Sequence, residues 1–181
     1  MDWKAQLDRR PLIVAIAGSN GAGKSTFFHT HLAGTGLRFV NADDLAAELE
    51  LGAYEAAELA ASIRRTLVDQ QESFVFETVL SDPHGEKVEQ LAAAGDAGYQ
   101  VALLFIRIDS SDTSKQRVSM RVMQGGHDVP DEKLESRFDR TLLNLDRAIA
   151  SIPIVLVFNN SDLSRPYELE AVYQDGQKVE G

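Results

Sequence analysis

The sequence predicts an α/β fold of three layers, in which helices cover both faces of a parallel five-stranded sheet. Short apolar runs alternate along the chain with longer segments of helical periodicity, the order that crossover connections in a parallel sheet require. The runs are apolar enough for strands that are covered on both faces. A glycine-rich segment joins the first run directly to the first helical segment.

The elements follow in order along a chain of 181 residues. Five apolar runs are predicted strands, at 12–17, 37–41, 73–77, 100–108 and 152–159. Six helices are predicted between them, at 24–33, 43–51, 54–71, 84–94, 111–124 and 131–151. Residues 167–180 alternate around the turn dipeptide Asp175-Gly176 and predict a terminal hairpin. No linker or repeat interrupts this order, so we expect one domain over residues 1–181.

Residues 18–26 read Gly-Ser-Asn-Gly-Ala-Gly-Lys-Ser-Thr and satisfy the pattern G-x-x-x-x-G-K-[ST]. They lie between the first strand and the first helix, where a phosphate-binding loop belongs. Glycines let successive N–H groups turn toward phosphate oxygens, and the opening helix adds unpaired amides and its positive dipole end. Lys24 would reach the outer phosphates of ATP, and the Ser25 hydroxyl would ligate Mg²⁺. The pattern predicts a P-loop NTPase fold with these nucleotide contacts: Gly18, Ser19, Asn20, Gly21, Ala22, Gly23, Lys24, Ser25 and Thr26.

Composition narrows the classes of partner. The net charge of −10 argues against a nucleic-acid substrate, which needs a basic face. Eight basic residues between 107 and 147 suggest a small polyanion such as ATP, although a solvated helical face would look the same. No apolar run approaches the roughly 20 residues of a membrane span. The polar N-terminal residues and the lack of cysteine lead us to expect a cytoplasmic protein without a membrane partner.

Carboxylates follow two of the predicted strands, at the edge where α/β sheets bind ligands. Asp43 lies just past the second strand and is our candidate for the carboxylate beside an acceptor hydroxyl, with Asp44 as the substitute. Simple N-capping of the next helix is the alternative for Asp43. Glu77 ends the third strand and would hold a Mg²⁺-bound water or the acceptor, unless it is a solvated strand end. Thr78 would add a hydroxyl contact to the acceptor.

A pair of predicted helices suggests a lid over about 111–140. Arg117 and Arg121 lie four residues apart on one helical face. The stretch 125–130, Gly-Gly-His-Asp-Val-Pro, would end that helix, and the next one carries Arg137 and Arg140. A lid of this kind would exclude water and bring a guanidinium to the γ-phosphate. An ordinary helical hairpin with salt-bridged faces is the alternative.

In these segments the chain resembles the zeta-toxin family of P-loop kinases, specifically the bacterial branch often labelled "predicted ABC-type ATPase". The resemblance spans about 12–161 and is carried by the loop at 18–26, Phe-Val-Asn-Ala-Asp at 39–43, Ser-Phe-Val-Phe-Glu-Thr-Val-Leu-Ser at 73–81, Arg-Phe-Asp-Arg at 137–140 and Asn-Ser at 160–161. It implies a nucleoside-kinase-like fold and transfer of a phosphoryl group from ATP to the 3′-hydroxyl of UDP-N-acetylglucosamine. An antitoxin protein is the partner that the family implies.

Matched by position, the resemblance assigns Asp43 as the catalytic base, Glu77 as a substrate contact and Arg121 as an arginine of the ATP site. Asn160 falls in the nucleotide site as well. The chain departs from the family pattern at two places. A second nucleotide-contacting arginine aligns with His127, so that Arg117, Arg137 or Arg140 would replace it. A further acidic substrate contact is expected in the helix that reads Glu-Leu-Ala-Ala-Ser-Ile-Arg at 58–64, but residues 60–63 offer no carboxylate to match it.

The sequence argues against two other classes of nucleotide-binding protein and leaves a third open. An ABC transporter ATPase would need a Leu-Ser-Gly-Gly-Gln-like signature and an aliphatic strand ending in Asp-Glu, and the sequence contains neither. A GTPase would need Asn-Lys-x-Asp, whereas residues 159–162 read Asn-Asn-Ser-Asp and lack the lysine that packs on guanine. A nucleotide-dependent binding or regulatory ATPase module without an acceptor stays open as the alternative to a small-molecule kinase.

Overall fold

The computed structural model describes residues 3–123 and 129–180, and a seven-stranded sheet forms the centre of this part of the chain. The strands are β1 Leu12–Ala17, β2 Arg38–Val40, β3 Phe74–Thr78, β4 Gln100–Arg107, β5 Ile154–Asn159, β6 Glu168–Gln174 and β7 Gln177–Glu180. Their order across the sheet is β2-β3-β1-β4-β5-β6-β7. The central strand β1 pairs in parallel with both β3 and β4, so the end of β1 opens in the middle of the sheet.

The predicted five-stranded parallel sheet is wrong in its number of strands. The strands β1 to β5 are parallel, as the sequence predicts, but β6 pairs antiparallel with β5 and β7 antiparallel with β6. The two added strands come from the segment in which the sequence predicts a terminal hairpin. Pairing with β6 satisfies the backbone of β5 at what would otherwise be an open edge, and it buries Ala171 and Val172.

Six α-helices are present in the described residues: α1 Lys24–Phe27, α2 Ala42–Leu49, α3 Ala53–Asp69, α4 Glu86–Asp96, α5 Ser111–Met123 and α6 Asp131–Ser151. The helix predicted at 24–33 is regular only in its first turn. It continues as a π-helical turn, Phe28–Leu32, and a 3-10 turn, Ala33–Thr35. A further 3-10 turn lies at Trp3–Gln6.

The side chains of β1 alternate between two apolar clusters, one on each face of the sheet. Ile13, Ala15 and Ala17 pack with buried residues of α3, α4 and α6, and Leu12, Val14 and Ile16 pack with those of α1 and the turn after it. All six residues of β1 are buried. This arrangement confirms the predicted three-layer fold.

The predicted lid, at about 111–140, takes in α5 and the first half of α6. The two helices pack together, and Lys115 of α5 forms an ion pair with Glu135 of α6. Residues 124–128, including His127, lie outside the described residues, so their predicted role in a lid stays a prediction. No helix in the described ranges is both long and apolar enough to cross a bilayer.

Candidate active site

The loop between β1 and α1 has a backbone shape that glycine alone fits at two positions. Gly18 has φ +146°, and a Cβ there would lie 2.3 Å from the carbonyl oxygen of Ile106. Gly23 has φ +94°, and a Cβ there would lie 2.8 Å from both Asn160 Nδ2 and the Tyr167 hydroxyl. Such distances are shorter than any real Cβ contact, so two glycines of the sequence pattern are explained by close approach of the sheet and its loops.

Side chains from distant parts of the chain hold this loop by its carbonyl oxygens. Asn160 Nδ2 donates to the carbonyl of Ala22 at 2.8 Å, and the Tyr167 hydroxyl donates to that of Gly23 at 2.9 Å. The Ser114 hydroxyl of α5 donates to the carbonyl of Asn20 at 2.7 Å. These three bonds fix the loop backbone before any ligand binds, which is the preorganisation that anion binding by N–H groups requires.

Arg117 joins the loop to the end of β5. Its Nη2 donates to the carbonyl oxygens of Asn160, at 2.8 Å, and Ser161, at 3.2 Å. Its Nη1 lies 3.5 Å from the carbonyl oxygen of Gly21. The structure therefore places Arg117 and Asn160 at the loop, where both side chains support its backbone. A direct contact of either side chain with a nucleotide stays a prediction.

A charged cluster lies behind the loop, where α1 begins. Lys24 is only 6% exposed, and its Nζ donates to the carbonyl of Ser19 at 3.1 Å and lies 3.6 Å from Glu77 Oε1. The Ser25 hydroxyl donates to Glu77 Oε2 at 2.7 Å, and Asn41 Nδ2 donates to the same oxygen at 3.3 Å. Glu77, 15% exposed, is thus a partnered carboxylate in contact with the phosphate loop, not a solvated strand end.

Electrostatics connect this cluster to two exposed residues. Burial lowers the pKa of Lys24, whereas attraction to Glu77 and, less strongly, to Asp43 opposes that change. Repulsion from Arg121 lowers the pKa of Lys24 further. Lys24 of α1 therefore interacts electrostatically with three other predicted residues, which are Glu77 of β3, Asp43 of α2 and Arg121 of α5.

Asn41, and not Asp43, is the N-cap of α2. The Asn41 side-chain oxygen accepts a hydrogen bond from the backbone N–H of Asp43 at 2.9 Å. Simple capping therefore does not explain Asp43, whose exposed carboxylate lies in the first helical turn next to Asp44. Burial and repulsion from Glu77 raise the pKa of Asp44. We missed the role of Asn41, although an asparagine two residues before the first acidic residue of a helix is itself a capping signal.

The loop that follows β3 is shaped by Thr78 and by α6. The Thr78 hydroxyl accepts from the backbone N–H of Leu80 at 3.1 Å, and Leu80 has φ +58°. Thr141 donates to the carbonyl of Val79 at 2.9 Å, and Arg140 Nε donates to that of Ser81 at 2.8 Å. Arg140 therefore supports this loop, while Thr78 stands at its start as predicted; its contact with an acceptor is still a prediction.

The donor set at the cluster suits a hard cation such as Mg²⁺. Over residues 3–123 and 129–180, no group of three or more histidine and carboxylate side chains is placed to hold a metal. Mg²⁺ needs no such cage, because it keeps several waters and binds through one or two protein oxygens together with phosphates. The Ser25 hydroxyl and the Glu77 carboxylate, in contact at 2.7 Å, would supply those oxygens if the ion binds here.

Comparison with known proteins agrees with this description. The Zeta toxin family model matches residues 38–170, a range that begins after the glycine-rich loop, so the loop and the match are separate observations. No curated protein matches the sequence.

Solved structures share the fold at low sequence identity. The AvrRxo1-ORF1:AvrRxo1-ORF2 complex with sulphate ions gives a TM-score of 0.73 at 18% identity, covering 97% of this chain and 62% of that one. The structure of the PezAT chromosomal toxin-antitoxin system of Streptococcus pneumoniae gives a TM-score of 0.66 at 14% identity, and the match covers 93% of this chain and 77% of that one. Shikimate kinase from Bacteroides thetaiotaomicron gives a TM-score of 0.51 at 16% identity, and the match covers 85% of this chain and 89% of that one.

The chain thus has the α/β fold of P-loop kinases and spans less than two thirds of the AvrRxo1-ORF1 complex chain that it matches. The family match covers well over half of its 181 residues, which confirms the resemblance found in the sequence. The chain belongs to the zeta toxin family.

Proposed function

We propose that this protein is an ATP-dependent phosphotransferase that moves the γ-phosphoryl group of ATP to a hydroxyl of a small molecule. The contact of Glu77 with both Lys24 and Ser25 carries the proposal. It joins the phosphate loop to a carboxylate at the end of a neighbouring strand, which is the combination that a nucleotide with its metal ion requires. Membership of the zeta toxin family supports the same reaction class.

Each side chain has a role that its position allows. Lys24 would hold the outer phosphates, since its ammonium is buried at the start of α1 beside the loop. Ser25 and Glu77 would hold Mg²⁺, which when bound neutralises charge on the phosphates. Arg121, exposed on α5, would stabilise charge that develops on the transferring group.

Asp43 would orient the acceptor. In the transfer, the acceptor oxygen forms a bond to the γ-phosphorus while the bond from that phosphorus to the β,γ-bridging oxygen breaks, and ADP leaves. The hydroxyl proton passes to the Asp43 carboxylate, which lies in the first turn of α2 and is open to solvent. A carboxylate at this position both accepts the hydrogen bond of the hydroxyl and sets the direction of attack.

We propose UDP-N-acetylglucosamine as the acceptor, because the family resemblance implies it and because the site carries Asp43, Asp44 and Glu77. Carboxylates suit a sugar, whose hydroxyls donate hydrogen bonds. We also propose a protein partner, since the similar AvrRxo1 and PezAT structures are of an ORF1:ORF2 complex and of a toxin-antitoxin system.

The test is incubation with ATP, Mg²⁺ and UDP-N-acetylglucosamine, followed by mass spectrometry. We expect a product heavier by one phosphoryl group, and none from Lys24→Ala that is shown to be folded. A panel of sugar nucleotides, nucleosides and small alcohols, read by ADP release, tests the reaction class apart from this acceptor. ADP release that no added compound stimulates would favour the alternative, a nucleotide-dependent ATPase module without an acceptor.

A further inference from the structure

A cavity of about 530 Å³ lies between α3 and α4, on the face of the sheet away from α1. Its floor is formed by Ile13 of β1 and by Phe74 and Phe76 of β3. Alanines line both helical walls: Ala61 on α3, Ala93 and Ala94 on α4, and Ala97 just after α4. Because these side chains are small, the two helices do not close over the sheet. The volume falls in the usual range of small-molecule sites, about 300–1,000 Å³.

The cavity is separate from the phosphate loop. Ile13 pairs with Phe74 at the start of their strands, whereas the loop follows Ala17 at the far end of β1. Four residues of strand, at about 3.3 Å each, place Ile13 roughly 13 Å from the loop, and Phe76, which pairs with Ala15, lies about half as far from it. Neither Lys24 nor Asp43 lines the cavity. Occupation of this space therefore does not depend on the proposed ATP reaction.

The charges around the cavity are mainly positive, although the chain has a net charge of −10. Arg64, Arg65 and Lys87 line it, against one carboxylate, Asp69. Lys87 has a partner outside the lining, because its Nζ lies 3.9 Å from a carboxylate oxygen of Asp82. The cavity is thus a locally cationic site in an acidic protein.

Arg64 is the half-buried cation of the cavity, whereas Arg65 is exposed. Its guanidinium lies over the Phe76 ring, 4.9 Å from the centroid. Among the residues that the structure describes, it donates no hydrogen bond and forms no ion pair. Burial, with repulsion from Arg65, lowers the pKa of Arg64. The guanidinium is half-buried, so its five N–H donors remain open to an anionic ligand that enters the cavity.

We propose that this cavity binds a small amphipathic anion, with its apolar body against Val68 and the alanines of the helical walls and its anionic head group on Arg64. The planar guanidinium matches a carboxylate, phosphate or sulfonate through two parallel hydrogen bonds. The apolar floor and the alanine walls exclude water from the rest of such a ligand. A neutral ligand would leave Arg64 without an acceptor, and a cation would be repelled by it.

The probe for this site is 8-anilinonaphthalene-1-sulfonate, and its control is the neutral N-phenyl-1-naphthylamine, which has the same aromatic body. Both dyes are titrated by fluorescence against the full chain, with and without a non-hydrolysable ATP analogue. We expect one sulfonate dye per chain, bound equally well when the nucleotide analogue is present. Displacement of the dye by the nucleotide analogue would place it at the phosphate loop and overturn the proposal.

Variants separate the head group from the body. Arg64→Met should weaken sulfonate binding about tenfold or more, the equivalent of one charge-assisted hydrogen bond, and should change binding of the neutral dye less than about twofold. Arg38→Met, at an exposed arginine outside the cavity, should change neither. Ala61→Leu fills the cavity and should weaken both dyes, which keeps the test decisive even if Arg64→Met folds poorly.

Competition then identifies the head group. Displacement of the dye by hexanoate or by hexyl phosphate would support the proposal and show which anion Arg64 prefers. Hexanol that competes as well as either anion would contradict it, as would Arg64→Met with unchanged sulfonate affinity.

Discussion

Replacing Glu77 by glutamine tests whether the carboxylate holds the buried Lys24 in place. Glutamine keeps the shape and still accepts the hydrogen bond of Ser25, which is 2.7 Å long in the parent. It removes the charge 3.6 Å from Lys24 Nζ, in a pair whose members are 6% and 15% exposed. We therefore expect a loss of stability that comes mainly from an uncompensated buried ammonium.

The magnitude follows from the geometry of the pair. Removing one partner of a fully buried ion pair costs about 3–5 kcal/mol. The distance here is long for an ion pair, Lys24 keeps the carbonyl of Ser19, and the Ser25 bond survives, so we expect about 2 kcal/mol. With a urea m-value of about 2 kcal/mol per M, the unfolding midpoint should fall by roughly 1 M.

The pH dependence of stability has a definite sign. The folded pKa of Lys24 is already below its ordinary 10.5, because burial outweighs attraction to Glu77. Between the folded and unfolded pKa values the unfolded chain binds more protons, so this lysine makes stability rise with pH in that window. Removal of the Glu77 charge lowers the folded pKa further, and the window should extend to lower pH in Glu77→Gln.

Urea unfolding measured across neutral to alkaline pH checks both expectations. Asp43→Asn is the matched control, since it removes the same charge from an exposed position in the same site. It should change the free energy of unfolding by less than about 0.5 kcal/mol. A midpoint of Glu77→Gln within 0.2 M of the parent, or an equal fall in the control, would refute the reasoning.

Three further outcomes are expected. Asp43→Asn should keep ATP binding and lose phosphoryl transfer by roughly 10²-fold or more, measured by ADP release with acceptor present; an active Asp43→Asn beside an inactive Asp44→Asn would move the role by one residue. Tyr167→Phe removes the hydrogen bond to the Gly23 carbonyl but keeps the aromatic packing, so it should lower the free energy of unfolding by about 1 kcal/mol and weaken ATP binding. Unchanged stability and unchanged ATP affinity would show that this bond does not shape the loop. Hydrogen exchange across 117–140 should slow when a non-hydrolysable ATP analogue binds, and unchanged exchange at saturation would argue for a static hairpin instead of a lid.

The central strands were predictable because each is an apolar run bounded by turn-forming residues, and burial on both faces requires such a run. The pairing of β6 with the edge of β5 was not predictable, because alternation around Asp175-Gly176 indicates a hairpin but does not show which strand of the sheet the hairpin joins. The irregular turns after α1 were missed too. Residues 28–32 are compatible with a regular helix, and nothing in their sequence marks the wider π-helical turn.

In the candidate site, local sequence identifies the glycine-rich loop but not what supports it. Asn160 and Tyr167 lie more than 130 residues from the carbonyls that they bind, and no local pattern predicts such a pairing. Arg117 was expected at the nucleotide because arginines on a lid helix often are; in the structure three backbone carbonyls surround it. The cavity between α3 and α4 is indicated in the sequence only by the alanines that line its two helical walls.

The hydrogen bonds from Asn160 and Tyr167 to the glycine-rich loop also set a time order for the protein's synthesis. They span 138 and 144 residues, so the loop receives its supports only after most of the chain has left the ribosome. Contacts this distant in sequence form late in folding, because the intervening chain must first be ordered. A nascent chain that ends before β5 would carry the complete nucleotide motif in a loop that has the Ser114 support but not yet those of Asn160 and Tyr167. The fully supported form of the loop therefore arises late, once the far side of the sheet is in place.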